Sequence, residues 1–228
     1  MSVLLLRLSG PMQSWGTQSR FTHRDTNREP SKSGVVGLVC AACGIKGDDN
    51  ESIAEIASMP MGVRVEREGT VLFDYHTAGG SSKSQGKRYG VHRASGSLGE
   101  AVISYRYYLA DADFLVALDG DRATLENLAN YLSDPVWPLY LGRKAFVPGF
   151  PVHLEDGLIE GDIEDALLSY PWLRRSDKGM EKVEHLRLVL ESDADAGRPS
   201  LDVPISFDPR EYKLRYIKTK WLNTSEIP

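Results

Sequence analysis

Cysteine is nearly absent: Cys40 and Cys43 are the only two in 228 residues. So few thiols cannot staple a small secreted scaffold, and a chain of this length can bury a core without them. A redox pair is disfavoured too. The two sit at the C-terminal end of a predicted helix, where the dipole opposes a thiolate, so they read as small core residues. Histidine is scarce, with five scattered positions, and no second ligand pair stands at zinc-site spacing. No apolar run reaches the length of a membrane span. The opening MSVLLLRLSG places Arg7 within its short apolar stretch and lacks the cationic start and cleavage site of a signal peptide. What these absences leave is a globular protein of the cytoplasm.

Positive charge is in deficit, with 27 Lys and Arg against 32 Asp and Glu. A net charge of −5 argues against nucleic acid when it is evenly spread, and here it is not. Residues 1–46 carry six Lys or Arg against two Asp or Glu, and residues 74–108 carry five against two. Residues 109–169 carry three against twelve. Two basic segments on an acidic body suit a protein that binds a polyanion on one side and repels it on the other. In the first segment Arg20, Arg24, Arg28 and Lys32 recur at every fourth position. That spacing suits a helix, but Pro30 and the surrounding Thr, Asn and Ser predict a loop that serves as a contact surface.

Periodicity predicts an α+β chain. SVLLLRLSG reads as a buried strand, and a helix follows at about Gly34 to Cys43, with Ser31 or Ser33 as N-cap and Gly44 as C-cap. Gly34 and Gly37 in that helix mark a close approach by the sheet or by a ligand backbone. A second helix is expected in DDNESIAEIAS, capped by Asp49 or Asn50. Strands MGVRVERE and TVLFDYHT come next, joined by a hairpin at Glu68-Gly69. Residues 78–99 are rich in Gly and Ser and cannot pack a core, so they read as an arm that orders on a partner. Strands resume at Val102–Tyr108 and Phe114–Leu118, then a helix capped by Asp121, then a strand-like PLYLG. With the insertion set aside, this is a ferredoxin-like βαββαβ plan with an added hairpin strand. The last third offers a short helix in DALLSYPW and strands in VEHLRLVLES and EYKLRYIKTKWL.

Several stretches imitate known sites and fail on spacing. In GSSKSQGKR five residues separate Gly80 from Gly86, and Arg88 replaces the magnesium-holding hydroxyl of a P-loop. ESDADAG puts Gly197 at the fifth position of a calcium loop that no Glu closes. Asp111, Asp113, Asp119 and Asp121 read as turn and cap residues. No cofactor and no metal is expected. RNA binding has support: Trp15 and Phe21 can stack on bases, the arginines can pair with phosphates, and SKSGVVG offers helix N-terminal amides around Ser33. The arm repeats the theme with Lys83, Lys87, Arg88, Tyr89 and Arg93. Tyr75-His76 leaves a second reading open, since such a pair can cleave RNA without metal by acid-base chemistry at the 2′-hydroxyl.

LLLRLSGPMQSWG, PSKSGVVGLVCAACGI, DYHT and PLYLGRKAF together resemble the RAMP group of CRISPR-associated proteins, specifically the CasD family of type I-E Cascade. The resemblance runs from residue 1 to about 150. It implies a ferredoxin-like, RRM-like RAMP domain over 1–150, interrupted by a thumb at 78–107, with a smaller β-rich region over 151–228. It further implies a non-catalytic subunit that holds the 5′ handle of the guide RNA (crRNA). Such a subunit packs on the Cascade backbone subunit, helps to dock the large subunit, and meets target DNA only indirectly. On this reading Arg20, Arg24, Arg28 and Lys32 line the RNA path into the helix at Ser33. Tyr75, His76, Lys83, Lys87 and Arg88 add contacts, as do Arg106 at the thumb's base and Arg143 and Lys144 in YLGRK. The alternative is a metal-independent endoribonuclease that processes precursor crRNA.

Overall fold

The computed structural model describes residues 1–18, 22–81, 88–89, 91, 95–97, 99, 101–173 and 183–228. In chain order the strands and helices are β1 (Ser2–Ser9), β2 (Met12–Gln13), β3 (His23–Arg24), α1 (Lys32–Cys43), α2 (Asn50–Ser58), β4 (Met61–Arg67) and β5 (Thr70–Ala78). The short β6 (Gly80–Ser81) and β7 (Arg88–Tyr89) precede β8 (Val102–Ala110), β9 (Asp113–Gly120), α3 (Arg122–Ser133), β10 (His153–Glu160) and α4 (Ile163–Ser169). The chain finishes with β11 (His185–Ser192), β12 (Arg198–Phe207) and β13 (Arg210–Asn223). Among the described residues no helix is long and apolar enough to cross a membrane.

Seven strands form one antiparallel sheet in the order β10-β1-β9-β4-β11-β13-β12. The unbroken apolar run of β1 follows from its place between β10 and β9, where both of its faces are covered. Leu4, Leu6 and Leu8 enter a core shared with α1, α2 and α3. Val3 and Leu5 point the other way, into a smaller core closed by Ala166 and Leu167 of α4. A strand covered on both faces has no reason to alternate. The α+β class expected from sequence holds, with mostly antiparallel strands. Cys40 lies in the larger core, where burial and the neighbouring Cys43 push its thiol up to about 12.

Three details differ from the sequence reading. PLYLG forms bends, and β10 takes the outer place beside β1. Its Gly157 sits at an irregularity in register, where a Cβ would stand 2.8 Å from the carbonyl oxygen of Leu5. Strand β12 carries Pro199 and Pro204 and is tolerated because it lies at the sheet edge. Glu68-Gly69 is a corner and not a hairpin. Strand β4 pairs with β9 and β11, whereas β5 pairs with β8 in a second sheet. The two chain segments leave the main sheet together, one turning at Gly69 (φ +67°) and the other at Asp111 (φ +62°). A Cβ at Gly69 would lie 2.7 Å from the Ala110 oxygen, so the corner needs glycine. Beyond it, β5 is a ribbon strand with both faces largely exposed.

Buried polar contacts lock the loop after β1 between sheet, corner and helix. Gln13 is fully buried. Its Nε2 donates to the oxygens of Leu8 (3.0 Å) and Ala112 (2.9 Å), and its Oε1 accepts from Trp15 Nε1 (3.1 Å). The Trp15 ring lies under α1, where a Cβ on Gly34 would come within 2.7 Å of it. Gly34 is therefore explained by Trp15, whereas at Gly37 a Cβ would meet the Phe207 ring at an ordinary contact distance of 3.5 Å. Helix α1 begins on N-cap Ser31. Its first amide, on Lys32, donates to Asp202 of β12 at 2.7 Å. Arg215 grips Asp202 through two bonds of 2.8 and 2.9 Å and Glu191 through one of 3.0 Å, while Lys32 Nζ meets Glu191 at 2.7 Å.

Two stability predictions follow from these contacts. Gln13→Leu keeps the volume but orphans two carbonyls and an indole N–H, at about 1–3 kcal/mol for each buried group left unpaired; the urea midpoint should fall clearly, and an unchanged midpoint would refute the bridging role. Burial opposes ionisation of Asp202, yet Arg215 and the Lys32 amide outweigh it and hold the carboxyl below its ordinary value. Its contribution is therefore complete above the unfolded carboxylate pKa of about 4 and fades as pH falls below that. Asp202→Asn should cost about 2 kcal/mol at neutral pH, and its deficit against the parent should shrink below about pH 4. A deficit that is flat across this range would contradict the assignment.

Candidate nucleic-acid interface

Strand β3 pairs in parallel with β8, which sets Arg24 directly opposite Arg106. Like charges in register destabilise a strand pair, and the compensation comes from the other flank of β8, where Asp74 of β5 stands opposite Arg106. A third cation joins them from the loop after α3. Arg143 Nη2 donates to the carbonyl oxygens of Tyr107 (2.8 Å) and Arg24 (3.4 Å), and its guanidinium lies 5.4 Å from the Phe146 ring. Burial first, then the charges of Arg106 and Arg24, push Arg143 below its usual value, with Asp74 and Asp25 offsetting part of the shift. The three arginines form no salt bridge among the described residues, although Asp74 stands opposite Arg106 on β5 and Asp25 lines the same cleft.

The loop that carries Arg143 is fixed on the PMQSWG segment. Ser14 donates its N–H to Leu141 (3.0 Å) and its hydroxyl to Tyr107 (3.2 Å). Gly142 adopts φ +93°, and a Cβ there would collide with the Ser14 oxygen at 1.9 Å. SGPMQSWG, SKSGVVG and YLGRK thus meet through Trp15 and Ser14. Above them lies a cleft of about 580 Å³ lined by Arg24, Arg106, Arg143 and Ser33. Four residues singled out from distant parts of the sequence therefore converge.

Others do not join them. Trp15 is 1% exposed and offers no ring face to a base; its place is in the core. Lys32 is buried against Glu191, and Asp202 already occupies the amide at the α1 N-terminus that was read as a phosphate seat. Arg28 is exposed but lies in a separate hollow with Arg187 and Arg198, both paired to Glu29. Lys144 is exposed beside Arg143. Arg20, Phe21, Lys83, Lys87 and Arg93 lie outside the described residues, and Arg88 and Tyr89 are placed only as backbone in β7.

Tyr75 and His76 are both exposed on β5, and successive strand residues point to opposite faces. Tyr75 shares its face with Tyr105, 5.5 Å away edge-on, while His76 stands opposite Ser104 on the Arg106 face. The two side chains cannot converge on one proton. Tyr105 also stacks on His23 (5.2 Å), and Phe73 packs on Tyr105 (5.9 Å) and Tyr107 (5.5 Å). This aromatic face was missed in sequence, although Tyr105 and Tyr107 alternate with the Arg106 that was chosen. Arg210 and Tyr212, from the far end of the chain, also line the cleft and gave no local signal.

Comparison with known proteins places this architecture. The family model for the CRISPR-associated protein Cas5 matches residues 3–220. The chain is 31% identical over 226 residues to the CRISPR system Cascade subunit CasD of Escherichia coli (strain K12), covering 92% of this chain and 94% of that one. A solved structure described as "Crystal structure of Cas protein" is 40% identical, with a TM-score of 0.76 over 99% of this chain and 97% of its own. A chain in a "CRISPR RNA-guided surveillance complex" is 33% identical, again with a TM-score of 0.76, over 99% of this chain and 92% of its own. Matched over nearly its whole length in sequence and in fold, the chain belongs to the Cas5 family of CRISPR-associated proteins.

Proposed function

We propose that this chain is the non-catalytic RNA-binding subunit of a type I-E CRISPR surveillance complex, where it holds the 5′ handle of the crRNA. The observation that carries the reading is the convergence of Arg24, Arg106 and Arg143 on one cleft, where three guanidinium groups outnumber the nearby carboxylates Asp25 and Asp74. Cations held together by backbone hydrogen bonds are preorganised for a polyanion, and releasing that polyanion's counterions favours binding. The similar proteins, a Cascade subunit and a chain of an RNA-guided surveillance complex, agree with this use.

The finer architecture is proposed with it. The order β10-β1-β9-β4, with α1 and α3 on one face, supports a ferredoxin-like RAMP domain, its outer strand supplied from beyond residue 150. The ribbon β5–β8 that leaves the sheet at Gly69 and Asp111 is the thumb. Its exposed aromatic face is suited to the backbone subunit of the complex, and the large subunit docks nearby, so contact with target DNA is indirect. Activity is assigned to the cytoplasm. Opposite facing of Tyr75 and His76 supports binding over cleavage.

Arg24→Ala and Arg106→Ala should each weaken crRNA retention in the assembled complex about three- to tenfold, and each should lower the log–log salt slope by about 0.7, the value for one lost single-strand phosphate contact. Retention unchanged in the double variant would sink the reading. On a gel of labelled precursor repeat RNA and mature crRNA in EDTA, the purified chain should retain RNA without cutting it. Metal-independent cutting would overturn the non-catalytic assignment.

A further inference from the structure

The cleft has a second wall that the arginines of β3, β8 and the 140–144 loop do not supply. It comes from the C-terminal sheet: Leu201 of β12 with Arg210 and Tyr212 of β13. Leu201, 58% exposed, is the one aliphatic side chain in a lining otherwise made of arginines, Asp25, small polar residues, glycines and Tyr212. Arg210 is exposed and has no ion-pair partner among the described residues. The turn that leads into Arg210 is anchored. The amides of Phe207 and Asp208 both donate to the Gly47 oxygen at 3.1 Å, and the Phe207 ring lies against Gly37 of α1. Arg210 is thus held in fixed relation to Ser33 and, across the cleft, to Arg106 and Arg143.

We infer that the β12–β13 hairpin forms the opposite jaw of the RNA site, with Arg210 on a phosphate and Tyr212 with Leu201 against the face of a base. This rests on the proposed RNA-binding reading and extends it to a region that no motif pointed to. The ligand is single-stranded, because bases reach aromatic and aliphatic surfaces only when unpaired. A volume of about 580 Å³ falls within the roughly 300–1,000 Å³ of sites that enclose one small molecule, the scale of a nucleotide and not of a duplex. Cations on both walls grip the strand from two sides, while the apolar pair gives one base a seat that solvated arginines would not provide.

The test uses the complex assembled from full-length chains with crRNA, reading RNA retention across a salt series for Arg210→Ala, Tyr212→Ala, Tyr212→Phe, Arg106→Ala and the remote Arg122→Ala. Melting curves establish that each variant is folded. Arg210→Ala should lose about three- to tenfold and lower the salt slope by about 0.7; Tyr212→Ala should also weaken retention, while Tyr212→Phe keeps it. If Arg106→Ala weakens binding while Arg210→Ala and Tyr212→Ala match the parent, the second jaw is refuted and the RNA-binding reading stands. If Arg210→Ala weakens binding and Arg106→Ala does not, the second jaw holds and the first wall is misassigned. An equal loss in Arg122→Ala would mean non-specific charge and would overturn the inference. Parental behaviour in every variant would remove both proposals.

Discussion

One buried amide, that of Gln13, sets where the site can form. A primary amide removed from water must find partners for two N–H groups and an oxygen, and a half-satisfied one is worse than none. Here the partners lie on three different structures: the end of β1, the corner before β9, and the indole of Trp15 beneath α1. Satisfying Gln13 therefore fixes the exit of the ribbon and the height of the helix together. The consequence reaches Arg24 through the backbone. Trp15 donates its N–H to the hydroxyl of Thr26 at 3.0 Å and accepts from the Asn27 N–H at 3.3 Å, so the loop returns beside β8. Function begins with the placement of an uncharged side chain.

The opposition of Arg24 and Arg106 shows the reverse priority. Folding would be better served by a carboxylate at either position, since opposite charges across a strand pair are favourable and like charges are not. Elsewhere the chain makes that choice: Arg7 meets Asp113 at 2.7 Å and Arg187 is bracketed by Glu29 and Glu68. Around the cleft it does so only in part: Asp74 of β5 stands opposite Arg106, and Asp25 lines the same cleft. Both carboxylates moderate the field at Arg143. On the proposed function, a bound polyanion would relieve the repulsion that remains between these arginines.

Most elements were legible because local chemistry and tertiary context agree. Ser31, Asp49 and Asp121 each cap the helix that their positions predict. The failures have identifiable causes. Glu68-Gly69 has the composition of a two-residue turn, but a glycine at positive φ also permits a corner, and pairing across the sheet decides between them. Strand β12 was hidden by prolines that only an edge position allows. The four-residue cation series Arg20, Arg24, Arg28 and Lys32 looked like one surface. Of its described members, one lines the cleft, one lies in another hollow and one is a buried ion-pair partner. Spacing in a loop does not specify a face, because a loop has no fixed period. Trp15 failed for a related reason: an aromatic in a basic segment can serve as a wedge for packing as readily as a platform for bases.

Charge segregation was visible in the sequence, but folding changes its meaning. The acidic stretch 109–169 is consumed largely by the chain's own structure. Asp113 pairs with Arg7, Asp111 with Arg67, Glu126 and Glu160 with Arg122, and Glu164 with Lys220. Asp121 and Asp162 cap helices, and Asp156 accepts a hydrogen bond from Tyr170. These carboxylates are therefore neutralised locally or turned toward amide dipoles. The cleft arginines Arg24, Arg106, Arg143 and Arg210 form no such salt bridges among the described residues and outnumber the nearby Asp25 and Asp74. A net negative chain can thus present a positive site without contradiction. What an incoming strand meets within a Debye length of about 8–10 Å is the local residue of unpaired charge, and the formal sum over 228 residues is a poor guide to it.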